Sequence, residues 1–213
     1  MLNMDFTERV LINTTKVDWV PSPRPGVMRK PLAREEAERG HATSIVRYDS
    51  GSHFHEHDHP LGEEIFVLQG TFSDHTGDYG AGTYFRNPEG FVHAPFSDEG
   101  CVILVKLHQF LPRDNQHICT ETAQHRWSAK TDCEILPLHD FETESVCLIH
   151  WSDGAPDQLP EHPGGEEIFV ISGELQDDEG RYPQGTWIRN PTRSRNPRVD
   201  QETLLWMKTG HLP

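Results

Sequence analysis

The sequence predicts an all-β protein built from two tandem copies of one antiparallel barrel or sandwich. Three observations carry this. Residues 59–93 written above residues 162–196, an offset of 103 with no gap, are identical at 17 of 35 positions. HPLGEEIFVLQG lies over HPGGEEIFVISG, and GTYFRNP over GTWIRNP. Self-similarity at a fixed period marks a repeated unit. Apolar residues make up only 34%, beside 17 Gly and 16 Pro, a mix that suits short strands and many turns. Short apolar or alternating runs also recur with turn signals about every ten residues.

The first unit is expected to open with a strand at Arg9–Asn13. An extended segment follows around Trp19-Val20-Pro21-Ser22-Pro23, whose prolines exclude a central strand. Met28–Leu32 reads as a further strand. Arg34–Gly40, rich in Glu and Arg, reads as a charged hairpin turn in preference to a helical turn, because Gly40 ends it and the alternating strand Ala42–Tyr48 follows. Ile65-Phe66-Val67-Leu68 is a buried strand. A turn at Asp74–Tyr79 leads to strands at Thr83–Phe85 and Cys101–Leu107. LPRDNQHI, residues 111–118, reads as the joint, which gives domains at 1–110 and 111–213. The second unit repeats the plan through Leu204-Leu205-Trp206.

The stretch Gly51–Gly70 carries the chemistry. His57 and His59 sit one residue apart, and Glu63 follows four residues later. In an extended segment these three share a parity and aim at one point. Glu64 competes with Glu63 for the carboxylate role; parity with His59 favours Glu63. Imidazole and carboxylate together suit a divalent transition metal. A further ligand is expected at His93. His53 and His55 share the parity and are read as lining the approach or as solvated residues.

At these positions the chain resembles the cupins. Gly51–Gly70 fits their first motif, G-x5-H-x-H-x3-4-E-x6-G, at every fixed position. Gly82, Pro88, Gly90 and His93 fit the second, G-x5-P-x-G-x2-H-x3-N, whose final Asn is replaced by Ser97. The H-P-x-G-E-E-I run and the R-N-P before the second motif resemble the cupin domain of ChrR-type anti-sigma factors. The resemblance implies two tandem cupin (jelly-roll) β-barrels and one divalent transition metal (Zn, Fe, Mn or Ni) in the first. It implies a metal-binding bicupin that binds or senses a small molecule, with a link to oxidative stress. The alternative it offers is a metal-dependent dioxygenase acting on a dicarbonyl-like chelating substrate. There is no room before the first unit for the sigma-binding domain of those anti-sigma factors, so direct sigma-factor binding is not expected.

The second unit serves as an internal control. His162 lies over His59 and Glu166 over Glu63, but Pro160 lies over His57 and Asn196 over His93. Two ligands rarely hold a metal tightly, so the second site is read as degenerate. Glu166 then needs another cation. By strand parity Arg198, and not Arg193 or Arg195, faces inward, and a pair of Arg198 with Glu166 or through His162 is expected.

The net charge of −15 argues against nucleic acid and anionic membrane as partners. No C-x-x-C pair, signal peptide or membrane span is evident, and a cytoplasmic protein with reduced thiols is expected. The sequence assigns no oligomeric state.

Overall fold

The structure is a computed structural model, and it describes residues 1–36, 39–129, 133–152, 164–192 and 197–212. Its regular secondary structure is almost entirely β-strand, in two compact units. Among the described residues no helix is long and apolar enough to cross a membrane.

Each unit has a seven-strand antiparallel path. In the first the order is Ile118–Glu121, Thr83–Asn87, Glu63–Asp74, Cys101–Leu107, Ala42–Tyr48, Val27–Arg34 and Val20–Pro21. In the second it is Val10–Asn13, Thr186–Asn190, Glu166–Ser172, Thr203–Thr209, Glu144–Trp151, Cys133–Phe141 and Ser128–Ala129. The two orders match position for position, as the internal repeat demands.

The outermost strand of each path comes from the other half of the sequence. Val10–Asn13, expected to open the first unit, pairs with Thr186–Asn190 of the second. Ile118–Glu121, beyond the expected joint, pairs with Thr83–Asn87 of the first. The compact units are therefore Met1–Met4 with Asp18–His125, and Asp5–Val17 with Arg126–Pro213. A cut between residues 110 and 111 separates the sequence repeats but not these bodies. The physical reason is edge protection: an open strand edge is covered by any segment of suitable pattern, whatever its place in the chain.

Alternation sets the core of the first unit. Val27, Val46, Tyr48, Ile65, Val67, Phe85, Ile103 and Val105 form one buried cluster. A bulge between Val102 and Ile103 lies opposite the stretch that ends at Gly70. Gly70 has φ of 71°, and a Cβ there would lie 2.1 Å from the Gly100 carbonyl oxygen. The last glycine of the first motif is thus a backbone requirement. The charged turn after Arg34 closes through the Glu35 amide donating to the His41 carbonyl, 2.9 Å, and residues 37–38 of that turn lie outside the described residues.

Candidate metal centre

Backbone pairing begins the site. His57–Asp58 is a short strand antiparallel to Val92–His93, with His57 directly opposite His93. Two motifs far apart in sequence are thereby joined. Between His59 and Glu63 the chain is not extended, as the parity argument assumed. It turns: the Gly62 amide donates to the His59 carbonyl at 3.0 Å, and Leu61 and Gly62 have φ of 59° and 77°. The turn swings Glu63 back toward His59. Glu63 is the carboxylate on the side of His59, as expected from parity, but a turn places it there.

The ligand atoms of His57, His59 and His93 all lie within 4.8 Å of one another. The Nε2 atoms of His59 and His93 are 3.4 Å apart. Glu63 stands 3.4 Å from each of them, through Oε1 to His59 and Oε2 to His93. Two atoms bound to one ion at about 2.0–2.1 Å adopt separations of this size. Two facing imidazole nitrogens share at most one proton, whereas a cation between them satisfies both. The donor set fits a divalent transition metal on these grounds.

Neighbouring groups aim the ligands. The His57 Nδ1 hydrogen bonds to the His55 carbonyl at 2.7 Å, which leaves Nε2 for the centre. The His93 Nδ1 lies 3.2 Å from Asp74 Oδ2, a carboxylate–histidine arrangement of the kind that fixes tautomer and ring angle at metal sites. Thr76 donates to Asp74 Oδ1 through its amide and its hydroxyl, at 2.8 and 2.5 Å. The Asn87 amide donates to Glu63 Oε2 at 3.1 Å.

The electrostatics follow. Burial holds His57 and His59 below the usual imidazole pKa, which favours their neutral form at neutral pH. Burial also opposes charge on His93, but the bond to Asp74 and the charge of Glu63 outweigh it and raise its pKa. Burial pushes the Asp74 carboxyl up; its bonds to His93 and Thr76 win and bring it down to about 2.

The neighbouring carboxylate, Glu64, belongs to another network. Tyr84 donates its hydroxyl to Glu64 Oε1 at 3.0 Å, and Arg86 lies 3.4 Å from Oε2. The register explains the doublets. Glu63 is opposite Asn87 and Glu64 opposite Arg86, just as Glu166 is opposite Asn190 and Glu167 opposite Arg189. Adjacent residues of each strand serve opposite faces. Asp74 and Asn87 were missed in the sequence. The signal was present, because both are repeated at the same offset as Asp177 and Asn190.

His55 is exposed at the mouth of a cavity of about 640 Å³ that also reaches His57, His59 and Glu63. His53 stacks on Phe96, with ring centroids 5.6 Å apart.

In the second unit, Pro160, His162 and Asn196 lie outside the described residues, as do Arg193 and Arg195. Glu166 is buried and accepts from the Asn190 amide at 2.7 Å. The inward Arg198 is corrected: its side chain is exposed, while Pro197 and Val199 on either side are buried. The cause is a one-residue slip. Ser73 pairs with Phe96 in the first unit, but Gln176, its counterpart at the offset of 103, pairs with Arg198, the counterpart of Pro95. Such a slip exchanges the faces of a strand. Among the described residues Arg9, carried in by the exchanged strand, brings a guanidinium to this region. Its Nε donates to Asn190 Oδ1 at 2.6 Å, and its NH2 group to Asp177 Oδ2 at 2.5 Å. Asp177 is the counterpart of Asp74, so in the second unit Arg9 pairs with the carboxylate equivalent to the one that holds His93 in the first. A cation does serve the degenerate site, reaching Glu166 through Asn190.

We expect Asp74→Asn to weaken metal binding about 10–100-fold without removing a ligand, as read by competition with a chelator. An unchanged affinity would show that Asp74 does not position His93. The same carboxylate gives an acid limb to stability. Its folded pKa is depressed, so its contribution is present above 3.8 and is lost as pH falls towards about 2. Asp74→Asn should flatten that limb in urea titrations.

Comparison with known proteins agrees with this architecture. The ChrR cupin-like domain matches twice, over residues 7–111 and 115–213. No curated protein matches the chain. Among solved structures, a candidate dioxygenase from Nostoc punctiforme PCC 73102 is similar over 97% of this chain and 84% of its own, with TM-score 0.79 and 15% identity. The protein Ylba from E. coli is similar over 98% and 93%, with TM-score 0.75 and 12% identity. A tryptophan-to-tyrosine variant of oxalate decarboxylase from Bacillus subtilis is similar over 94% and 76%, with TM-score 0.66 and 13% identity. At these identities the likeness is one of fold. Both halves of the sequence match one and the same domain, and the chain belongs to the ChrR cupin-like family as a double cupin.

Proposed function

We propose that the first unit holds one divalent transition metal (Zn, Fe, Mn or Ni) on His57, His59, His93 and Glu63, and binds a small molecule beside it. The carrying observation is that three of these four donors, His57, His59 and Glu63, line a cavity of about 640 Å³, with His93 converging on them from behind. A purely structural metal site is closed on all sides. Here a substrate-sized space reaches the ligand residues themselves. When bound, such an ion supplies Lewis acidity and, for iron or manganese, redox chemistry with oxygen. The protein's share is positioning. Asp74 sets the His93 tautomer, the His55 carbonyl sets that of His57, and Asn87 holds Glu63. Val46, Ile103 and Val105 give the cavity an apolar wall that limits water around the bound molecule. We take the second unit to be metal-free. The net charge gives no support to nucleic-acid or anionic-membrane binding, and we place the protein in the cytoplasm.

A sensing role of the ChrR type needs only binding. A dioxygenase role is the second reading, favoured by the open access to the ligand residues and by the fold shared with the candidate dioxygenase. An oxygen electrode separates them. Iron-loaded protein is offered acetylacetone and a panel of related chelating dicarbonyls, with metal-free protein as control. Oxygen uptake that requires both iron and a dicarbonyl establishes the enzyme, and Glu63→Ala then retains part of the rate because three histidines remain. Ligand binding with no uptake across the panel rejects the enzyme and leaves the binding module.

A further inference from the structure

The cavity of the first unit has a charge opposite to that of the chain. The protein carries 34 acidic and 19 basic residues. Among the described residues the cavity is lined by Arg24, Arg29, Arg34 and Arg39 against two carboxylates, Asp58 and Glu63. All four cations are arginine, whose planar fork matches a carboxylate with two parallel hydrogen bonds.

Register places two of them on the inner face. Arg29 lies opposite Val46, and Arg34, after a bulge, lies opposite Ala42. Ala42, Ser44, Val46 and Tyr48 alternate on one face of their strand, and all four line the cavity. One row across the sheet runs from Glu63 through Leu107 and Ala42 to Arg34. That is three interstrand steps, about 14 Å along the curved sheet. The arginine end and the metal end of the cavity are therefore distinct, with Ile103 and Val105 between.

Ser44 supplies an independent observation. It is 2% exposed, and its Oγ has no hydrogen-bond partner in the structure. A buried hydroxyl without a partner costs free energy, and a ligand acceptor in this cavity would satisfy it.

We propose that the cavity takes a small organic acid. Its carboxylate lies between Arg29 and Arg34 and accepts from the Ser44 hydroxyl. Its apolar body lies along Val46, Ile103 and Val105 and points towards the metal ligands. Arg24 and Arg39 raise the local potential at the cavity and favour entry of an anion. This deepens the small-molecule reading of the same cavity and rests on it, but needs no particular metal.

The test compares phenylbutyrate with its neutral counterpart phenylbutanol, by calorimetry on the full chain, both chelator-treated and zinc-loaded. The acid is expected to bind at least about tenfold tighter than the alcohol in both states. Arg29→Met and Arg34→Met should each reduce that preference about tenfold. Arg34→Lys restores part of it, and metal content stays unchanged throughout. Equal binding of acid and alcohol to wild-type protein overturns the proposal, and needs no variant to fold. So does a preference that survives both arginine substitutions. Acid preference in protein that takes up none of zinc, iron, manganese and nickel supports this inference while overturning the metal reading; bound metal with no acid preference does the reverse.

Discussion

His57→Ala combined with His93→Ala is expected to lower the metal content of the purified protein from about one ion per chain to about a tenth of that or less, while Glu166→Gln should leave it near one. The first pair removes two of three convergent imidazoles. The remaining His59 and Glu63 form a two-ligand set, and such sets rarely hold a metal. Glu166, by contrast, sits behind Asn190, whose carbonyl oxygen already receives the Arg9 guanidinium. Elemental analysis of protein purified without chelator reads both. Two ions per chain, or full loading of the double variant, would overturn the assignment of the centre to the first unit.

Arg86→Met is expected to destabilise the first unit by about 3–5 kcal/mol. Arg86 is fully buried. It pairs with Asp114 Oδ2 at 2.5 Å and Glu64 Oε2 at 3.4 Å, and its guanidinium carbon lies 3.8 Å from the centre of the Phe110 ring. Methionine fills much of the volume but removes the guanidinium charge with which these two buried carboxylates pair. The triple variant Arg86→Met, Glu64→Gln, Asp114→Asn should recover part of the loss, because it removes the charges together. Urea unfolding measures both. A loss below about 1 kcal/mol for the single variant would mean that Arg86 behaves as an exposed pair. Since Arg86 and Asn87 are adjacent and serve Glu64 and Glu63, the experiment also asks whether the structural face can be damaged without the metal face. Metal affinity in the folded fraction should change little.

The sequence by itself determined the repeat, the all-β class and the family, because these rest on local patterns. Alternation, turn residues and motif spacing are properties of neighbouring residues, and an offset of 103 can be counted. It also named His57, His59, Glu63 and His93, the residues that the structure brings together. Three things needed the tertiary structure. The exchange of Val10–Asn13 and Ile118–Glu121 depends on which open edge each strand covers, and both edges accept the same pattern. The exposure of Arg198 depends on a single-residue slip, which changes no composition and no motif but reverses the face of every side chain beyond it. The placement of Arg9, Arg29, Arg34 and Ser44 depends on pairing partners far away in the chain. Arg34 stands in one row with Glu63 only because three separate strand registers agree. Pattern along the chain fixes what each strand is, whereas register across the sheet fixes what each side chain meets, and register is set by the summed packing of the whole unit.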